Sequence, residues 1–367
     1  MENELIIIGD SQVAKCWDEI DKLVPVKYAF LNPNKYFLQI VRLVREDQIL
    51  IANGDLVDSY YADYRPRGEN DNNWDLFFSL INQCKGRYLL NIGNHDYRSY
   101  PHNINIWGLE GHNLARKIQK KYLSDFEYAR FRFLDELKAI LVNPKKFDPL
   151  EKYPNGKNYV IETANKALIF LNTGPDVFSN LKNLFDIRYL RPSCIVTPLV
   201  IGLLKDQLTF FKETIDGTRK SEIFVFLHSP PFFGIERIQP TQLPNPLNEE
   251  NYKAALKKNC LDTGIFIARN HEFIRSLLDS NKNFVVITSH INTPRQYIID
   301  RSTKILWEAS MEEINEKRLN ANYLKFISTP TTSEITPQIR EIGYMKVGSN
   351  ISRHVIKTFP TSASNVT

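Results

Sequence analysis

The chain has 367 residues, enough for one large domain or for a domain with an insertion, and its 43% hydrophobic and 24% charged residues are an ordinary globular composition. A net charge of +5 is weak for this length and does not by itself imply a nucleic-acid partner. Four cysteines without C-x-x-C spacing argue against a disulfide or zinc framework. The longest apolar stretch, near Ile195 to Leu204, is interrupted by Thr197, Pro198 and Gly202 and falls short of the ~20 residues of a membrane span. The N-terminus enters a strand at once, without the layout of a signal peptide, so a cytoplasmic protein is expected.

In chain order, residues 1 to 98 alternate strand and helix signals, as in the first half of an α/β layer fold. Residues 99–155 differ. Between His112 and Leu141, apolar residues near helical spacing are mixed with many bases, which predicts a helical cap insertion. Residues 157–162 and 167–172 predict a hairpin, and Leu203–Phe211 a helix. Residues 232–263 form a Pro- and Asn-containing excursion, expected as a rim loop. A helix from about His271 to Asp279 follows, and from Tyr323 onward the alternation of Thr, Ile and Tyr suggests edge strands. The expected organisation is a domain over 1–345 and a C-terminal strand and tail over 346–367.

Five segments end in metal-ligating or proton-carrying residues, four of them directly after runs that read as buried strands. They are Gly9-Asp10-Ser11-Gln12, Gly54-Asp55-Leu56-Val57-Asp58, Gly93-Asn94-His95-Asp96, His228, and Ser289-His290-Ile291-Asn292. Open α/β sheets build sites just beyond the carboxyl ends of their strands. Singly, Asp10, Asp55 and Asn94 read as turn or cap residues and His228 as a core residue. Jointly and in this order, they argue for a metal site.

This order resembles the calcineurin-like metallophosphoesterases, whose pattern runs D-x-H, G-D-x-x-D, G-N-H-D, a lone His, and G-H-x-H. The resemblance spans roughly residues 5 to 345. It implies a four-layer α/β/β/α sandwich of two mixed sheets with the site at one edge. It also implies a bridging Asp55, with Asn94, His228 and His290 completing one metal site whose imidazole and oxygen donors suit Mn, Fe or Zn. The other site departs from the pattern. Its residues are Asp10, Gln12, Asp55 and Asn292, with the amides of Gln12 and Asn292 standing where two imidazoles are expected, giving an all-oxygen, weaker site for hard ions such as Mg or Mn. His95, oriented and favoured in its protonated form by Asp58, is expected as general acid or electrostatic stabiliser.

The expected function is hydrolysis of a phosphomonoester or phosphodiester by metal-activated water, on a phosphorylated small molecule or nucleotide. The cofactors would be divalent ions, manganese foremost, with one tight and one weaker site. Gln12 and Asn292 keep open a second reading, a catalytically impaired member acting as a protein-binding scaffold. A nuclease is a third, less favoured reading, since it would need a continuous basic and aromatic groove.

Overall fold

The computed structural model describes residues 4–23, 32–60, 72–97, 158–174, 176–177, 199–234, 237–258, 265–291, 293–333 and 341–358. The expected cap over 99–155 lies outside these residues. The strands are β1 (Glu4–Ile8), β2 (Gln48–Asn53), β3 (Arg87–Asn91), β4 (Tyr159–Glu162), β5 (Lys166–Leu171), β6 (Asp176–Val177), β7 (Leu199–Gly202) and β8 (Glu222–Leu227). They continue as β9 (Thr241–Gln242), β10 (Phe266–Ala268), β11 (Phe284–Thr288), β12 (Gln296–Asp300), β13 (Ile305–Glu308), β14 (Tyr323–Ser328), β15 (Glu341–Val347) and β16 (Ile351–Thr358). The helices are α1 (Lys15–Leu23), α2 (Pro33–Leu43), α3 (Asn73–Ile81), α4 (Lys205–Gly217), α5 (Glu249–Lys258), α6 (Asn270–Asp279) and α7 (Met311–Glu316).

Among the described residues, one sheet has the order β16-β15-β1-β2-β3 and a second the order β4-β5-β8-β11-β14-β12-β13-β9. Both are mixed. In the first, β1, β2 and β3 run parallel while β15 is antiparallel to β1. In the second, β5, β8, β11 and β14 run parallel, flanked by antiparallel partners. Strands β2, β5, β8 and β11 are buried along their whole length, as their continuous apolar runs require when both sheet faces are covered.

Three cores account for that burial. Leu5, Ile7, Ile49 and Ile51 of one sheet meet Leu168, Phe170, Phe224, Phe226 and Val285 of the other, forming the layer between the sheets. Here Tyr159, Phe170 and Phe226 stack with centroids 4.4 and 4.7 Å apart. On the outer face of the first sheet, Phe37 and Ile40 of α2 and Trp74 and Phe77 of α3 pack over Leu50 and Leu90. On the outer face of the second, Phe211 and Ile215 of α4 and Phe273 and Leu277 of α6 cover Val225 and Val286. The result is the α/β/β/α sandwich expected from the sequence.

The 232–263 excursion packs Phe232, Phe233, Leu243 and Tyr252 into the outer core, and β9 adds to the sheet beside β13. One local expectation is corrected. Strand β14 is not an edge but lies between β11 and β12, buried except for Tyr323. Its alternation is broken by Lys325, which reads as a solvent-facing residue yet is wholly buried, with Nζ donating to Asn283 Oδ1 (2.5 Å) and the Asn320 carbonyl (3.1 Å). Among the described residues no helix is long and apolar enough to cross a membrane.

Candidate metal centre

The parallel strands of both sheets deliver the predicted residues to one place. Asp10 lies just beyond β1, Asp55 beyond β2, Asn94 beyond β3, His228 directly after β8 and His290 beyond β11. The first two loops are laced together. The Asp10 and Gln12 amides donate to the carbonyls of Gly54 (3.2 Å) and Asp55 (2.8 Å), and the Ser11 hydroxyl donates to the Leu56 carbonyl (3.0 Å). Four predicted site residues hold left-handed backbone angles: Asp10 (φ 50°), Gln12 (41°), Asp55 (51°) and His290 (68°). Each such conformation costs roughly 1–3 kcal/mol in a non-glycine residue and persists only where its surroundings over-determine it. Strain is thus concentrated where the sequence placed the site.

Asp55, His228 and His290 bring ligand atoms within 4.8 Å of one another. Asn94 Oδ1 stands 2.9 Å from His228 Nε2 and 2.9 Å from His290 Nδ1, and His228 Nε2 stands 3.1 Å from Asp55 Oδ1. The other nitrogen of His228, Nδ1, lies 3.1 Å from the Asn53 carbonyl, which can only accept. Nδ1 therefore carries a hydrogen, and Nε2, facing two oxygens, is the nitrogen that can coordinate an ion once any proton of its own is displaced. Electronegative atoms converging in this way are held together by positive charge, either a proton on Nε2 or a metal ion. Two ligands about 2.1 Å from a shared ion at right angles sit roughly 3.0 Å apart, which matches these spacings. Burial pushes the His228 imidazole down, but the Asp55 carboxylate more than reverses this, to about 9. Burial likewise pushes Asp55 up, yet His228 and His95 hold it well below the usual carboxylate range. The pocket attracts positive charge, and the donor set fits a divalent ion.

The other half of the site is different. Both Asp10 carboxylate oxygens lie 3.1 Å from the His290 backbone N–H, and Asp10 is outside the group formed by Asp55, His228 and His290. The half-buried Gln12 side chain has no hydrogen-bond partner among the described residues. Asn292 lies outside the described residues.

His95 follows Asn94 and is its more accessible neighbour, with 17% of its side chain exposed. Its backbone N–H donates to Asp55 Oδ1 (2.8 Å), and its ring Nδ1 lies 3.0 Å from Asp58 Oδ1. Nε2 stands 3.7 Å from Asp55 Oδ2. Carboxylates on both sides of the ring stabilise positive charge on it. Asp96 anchors the whole turn by accepting from the backbone N–H groups of Gly93 (2.8 Å), Leu56 (2.9 Å) and Val57 (3.1 Å).

A family model described as calcineurin-like phosphoesterase matches residues 4–266. The chain belongs to this family. It covers 96% of its length against 95% of a dimetal phosphatase from Danio rerio, at 11% identity and a TM-score of 0.47. The corresponding figures for PhoD are 99% against 73%, at 8% identity and a TM-score of 0.49. Among curated proteins none matches the sequence. Family membership rests on the match over residues 4–266.

For this member of the family, residues that no motif signalled turn out to support the candidate ligands. Asn91 Nδ2 donates to Asn53 Oδ1 (3.0 Å), Asn53 Nδ2 to Ser289 Oγ (3.0 Å), and Ser289 Oγ meets Thr329 Oγ1 (2.9 Å). This buried ladder crosses from β3 and β2 of one sheet to the ends of β11 and β14 of the other, beneath the site. The available signal was slight: an asparagine closing each of two buried apolar strands. His271 and His354, which match no motif, are half-buried on α6 and β16, and His354 stacks on Tyr344.

Proposed function

We propose that the chain hydrolyses a phosphomonoester or a nucleotide-type phosphodiester of small size, with a divalent ion, manganese foremost, held by Asp55, Asn94, His228 and His290. The observation carrying this reading is the convergence of their donor atoms beside the His95–Asp58 pair. Such an ion, when bound, supplies charge neutralisation at the phosphoryl group and acidifies a water. The protein's own residues do the rest. Asp58 accepts from His95 Nδ1 and fixes the ring, which leaves Nε2 to give a proton to the departing oxygen. Asp55 orders this arrangement by accepting from the His95 N–H while facing His228. The Asn53 carbonyl holds the tautomer of His228. The free thiols of Cys16 and Cys84 agree with a reducing, cytoplasmic setting, which belongs to the same proposal.

Elemental analysis of the purified protein with hydrolysis of an aryl phosphate tests it. Wild type is expected to hold about one tightly bound transition ion, with a second, oxygen-rich position around Asp10, Gln12 and Asn292 filled only at millimolar Mn²⁺ or Mg²⁺. His228→Ala and His290→Ala should each lose the tight ion and lower turnover by orders of magnitude. Wild-type activity in both variants would overturn the assignment. Gln12 and Asn292, standing where imidazoles are expected, favour the scaffold reading, and absence of hydrolysis across mono- and diesters with Mn²⁺, Mg²⁺ and Zn²⁺ would weigh for it over the enzyme.

A further inference from the structure

We propose that Asp10 is a positioning residue for the metal ligand His290: its carboxylate grips the backbone N–H of a strained turn and so aims the imidazole. The inference rests on the metal centre proposed above. His290 has φ 68°, and the Ile291 N–H bonds back to the Ser289 carbonyl (2.8 Å). That is a γ-turn with positive φ at its centre, a rare and strained form. Strain of this kind holds only if neighbouring groups fix it. Two flanking contacts do so from within the second sheet: the Ser289 N–H donates to the His228 carbonyl (2.8 Å), and Ser289 Oγ bonds Thr329. The turn's central amide is held from the other sheet, by both Asp10 oxygens at 3.1 Å. His290 Nδ1 then meets Asn94 Oδ1 at 2.9 Å.

Asp10 is itself braced. Its own φ is 50°, and the Thr332 hydroxyl donates to its carbonyl (3.4 Å). Gly9 forms a bridge with Thr331, and a Cβ at Gly9 would collide with the hydroxyls of Thr329 and Ser289. The hydroxyl-rich segment just after β14, Thr329 to Ser333, is buried throughout. It therefore presses the end of β1 into place, and Asp10 passes that placement to His290. On this reading the carboxylate's acceptor atoms matter to the tight ion, and its charge does not.

The test is titration of chelator-treated, full-length protein with Co²⁺, reading affinity, stoichiometry and the visible absorption spectrum of the bound ion. Asp10→Asn keeps an acceptor oxygen for the His290 N–H. It should retain one tight equivalent, a wild-type spectrum and an affinity within about threefold, whereas Asp10→Ala should weaken binding about 10- to 100-fold, the usual cost of losing a group that orients a ligand, with a changed spectrum. Thr332→Val, which removes the brace while leaving Asp10 in place, should shift the spectrum in the same direction with a loss of about threefold to tenfold. It decides the question if Asp10→Ala does not fold. Wild-type affinity and spectrum in Asp10→Ala, or in Thr332→Val where Asp10→Ala cannot be purified, overturn the proposal. So does Asp10→Asn losing as much as Asp10→Ala, which would make the charge the operative feature. If wild type itself takes up no Co²⁺, the metal centre falls and this inference with it.

Discussion

His95 is the residue on which enzyme and scaffold part company. It touches Asp55 through its backbone and Asp58 through its ring, but it is not one of the convergent candidate metal donors. His95→Ala should therefore leave metal content and melting temperature near wild type while slowing hydrolysis by about 10²- to 10⁴-fold, the usual share of a general acid. Parallel elemental analysis and steady-state kinetics check both halves of that statement. At this scale the sequence was legible where a residue's chemistry is its own. An Asp, Asn or His closing a buried apolar strand announces itself, and Asp55, Asn94, His228 and His290 do come together. It was illegible where a residue works through a partner. Thr332 acts on the carbonyl of Asp10, more than three hundred positions earlier in the chain, and Asn53 acts through its own carbonyl on His228. Nothing in either residue's neighbourhood states that.

Among the elements, the strands were easy to read and the turns between strand and ligand were not. Continuous apolar runs predicted β2, β3, β8 and β11, and the expected hairpin of β4 and β5 formed, pairing Tyr159 with Phe170. Helix α4 runs on to Gly217, beyond the predicted Phe211, because Ile215 continues the buried stripe of Leu208 and Phe211. Strand β14 departs from expectation because its alternation suggests an edge strand, whereas it lies inside the sheet and buries Lys325 among polar partners. The ligand-bearing turns depend on close approach. A Cβ at Gly93 would run into the Asp55 amide and carboxylate and approach His228 Cε1 to 2.8 Å, with backbone on one side that cannot give way. Gly93→Ala should thus weaken tight-ion binding about 10- to 100-fold, as disturbance of groups supporting a ligand does, while the circular dichroism of the fold is retained. Calorimetric titration with Mn²⁺ measures the loss.

For the molecule as a whole, the described residues place buried polar groups at both ends of the inter-sheet core. At the end opposite the metal centre, Arg318 holds Glu222 with Nε and Nη2 at 2.5 and 2.9 Å, and Lys166 and Lys325 are buried nearby on the same parallel strands. Burial pushes Lys325 down to about 7, with Arg301 adding to the effect. Between that value and the ordinary lysine range near 10.4, the unfolded chain binds a proton that the folded one does not, so stability rises with pH across this window. Below about pH 7 the penalty is fully present. Lys325→Met should flatten the rise, which for one group amounts to roughly 5 kcal/mol at most; denaturant unfolding at pH 7 and pH 10 measures it. The metal-centre end has the opposite character. Asp55 and Asn94 come from the five-stranded sheet, His228 and His290 from the eight-stranded one. An ion shared by all four is a rivet through two plates. Folding and metal loading then form one linked equilibrium, in which each tenfold rise in free ion above the dissociation constant adds about 1.4 kcal/mol to the folded state. A chelator should lower the melting temperature without touching a single covalent bond, and the midpoint of thermal unfolding becomes a gauge of how much free metal surrounds the protein.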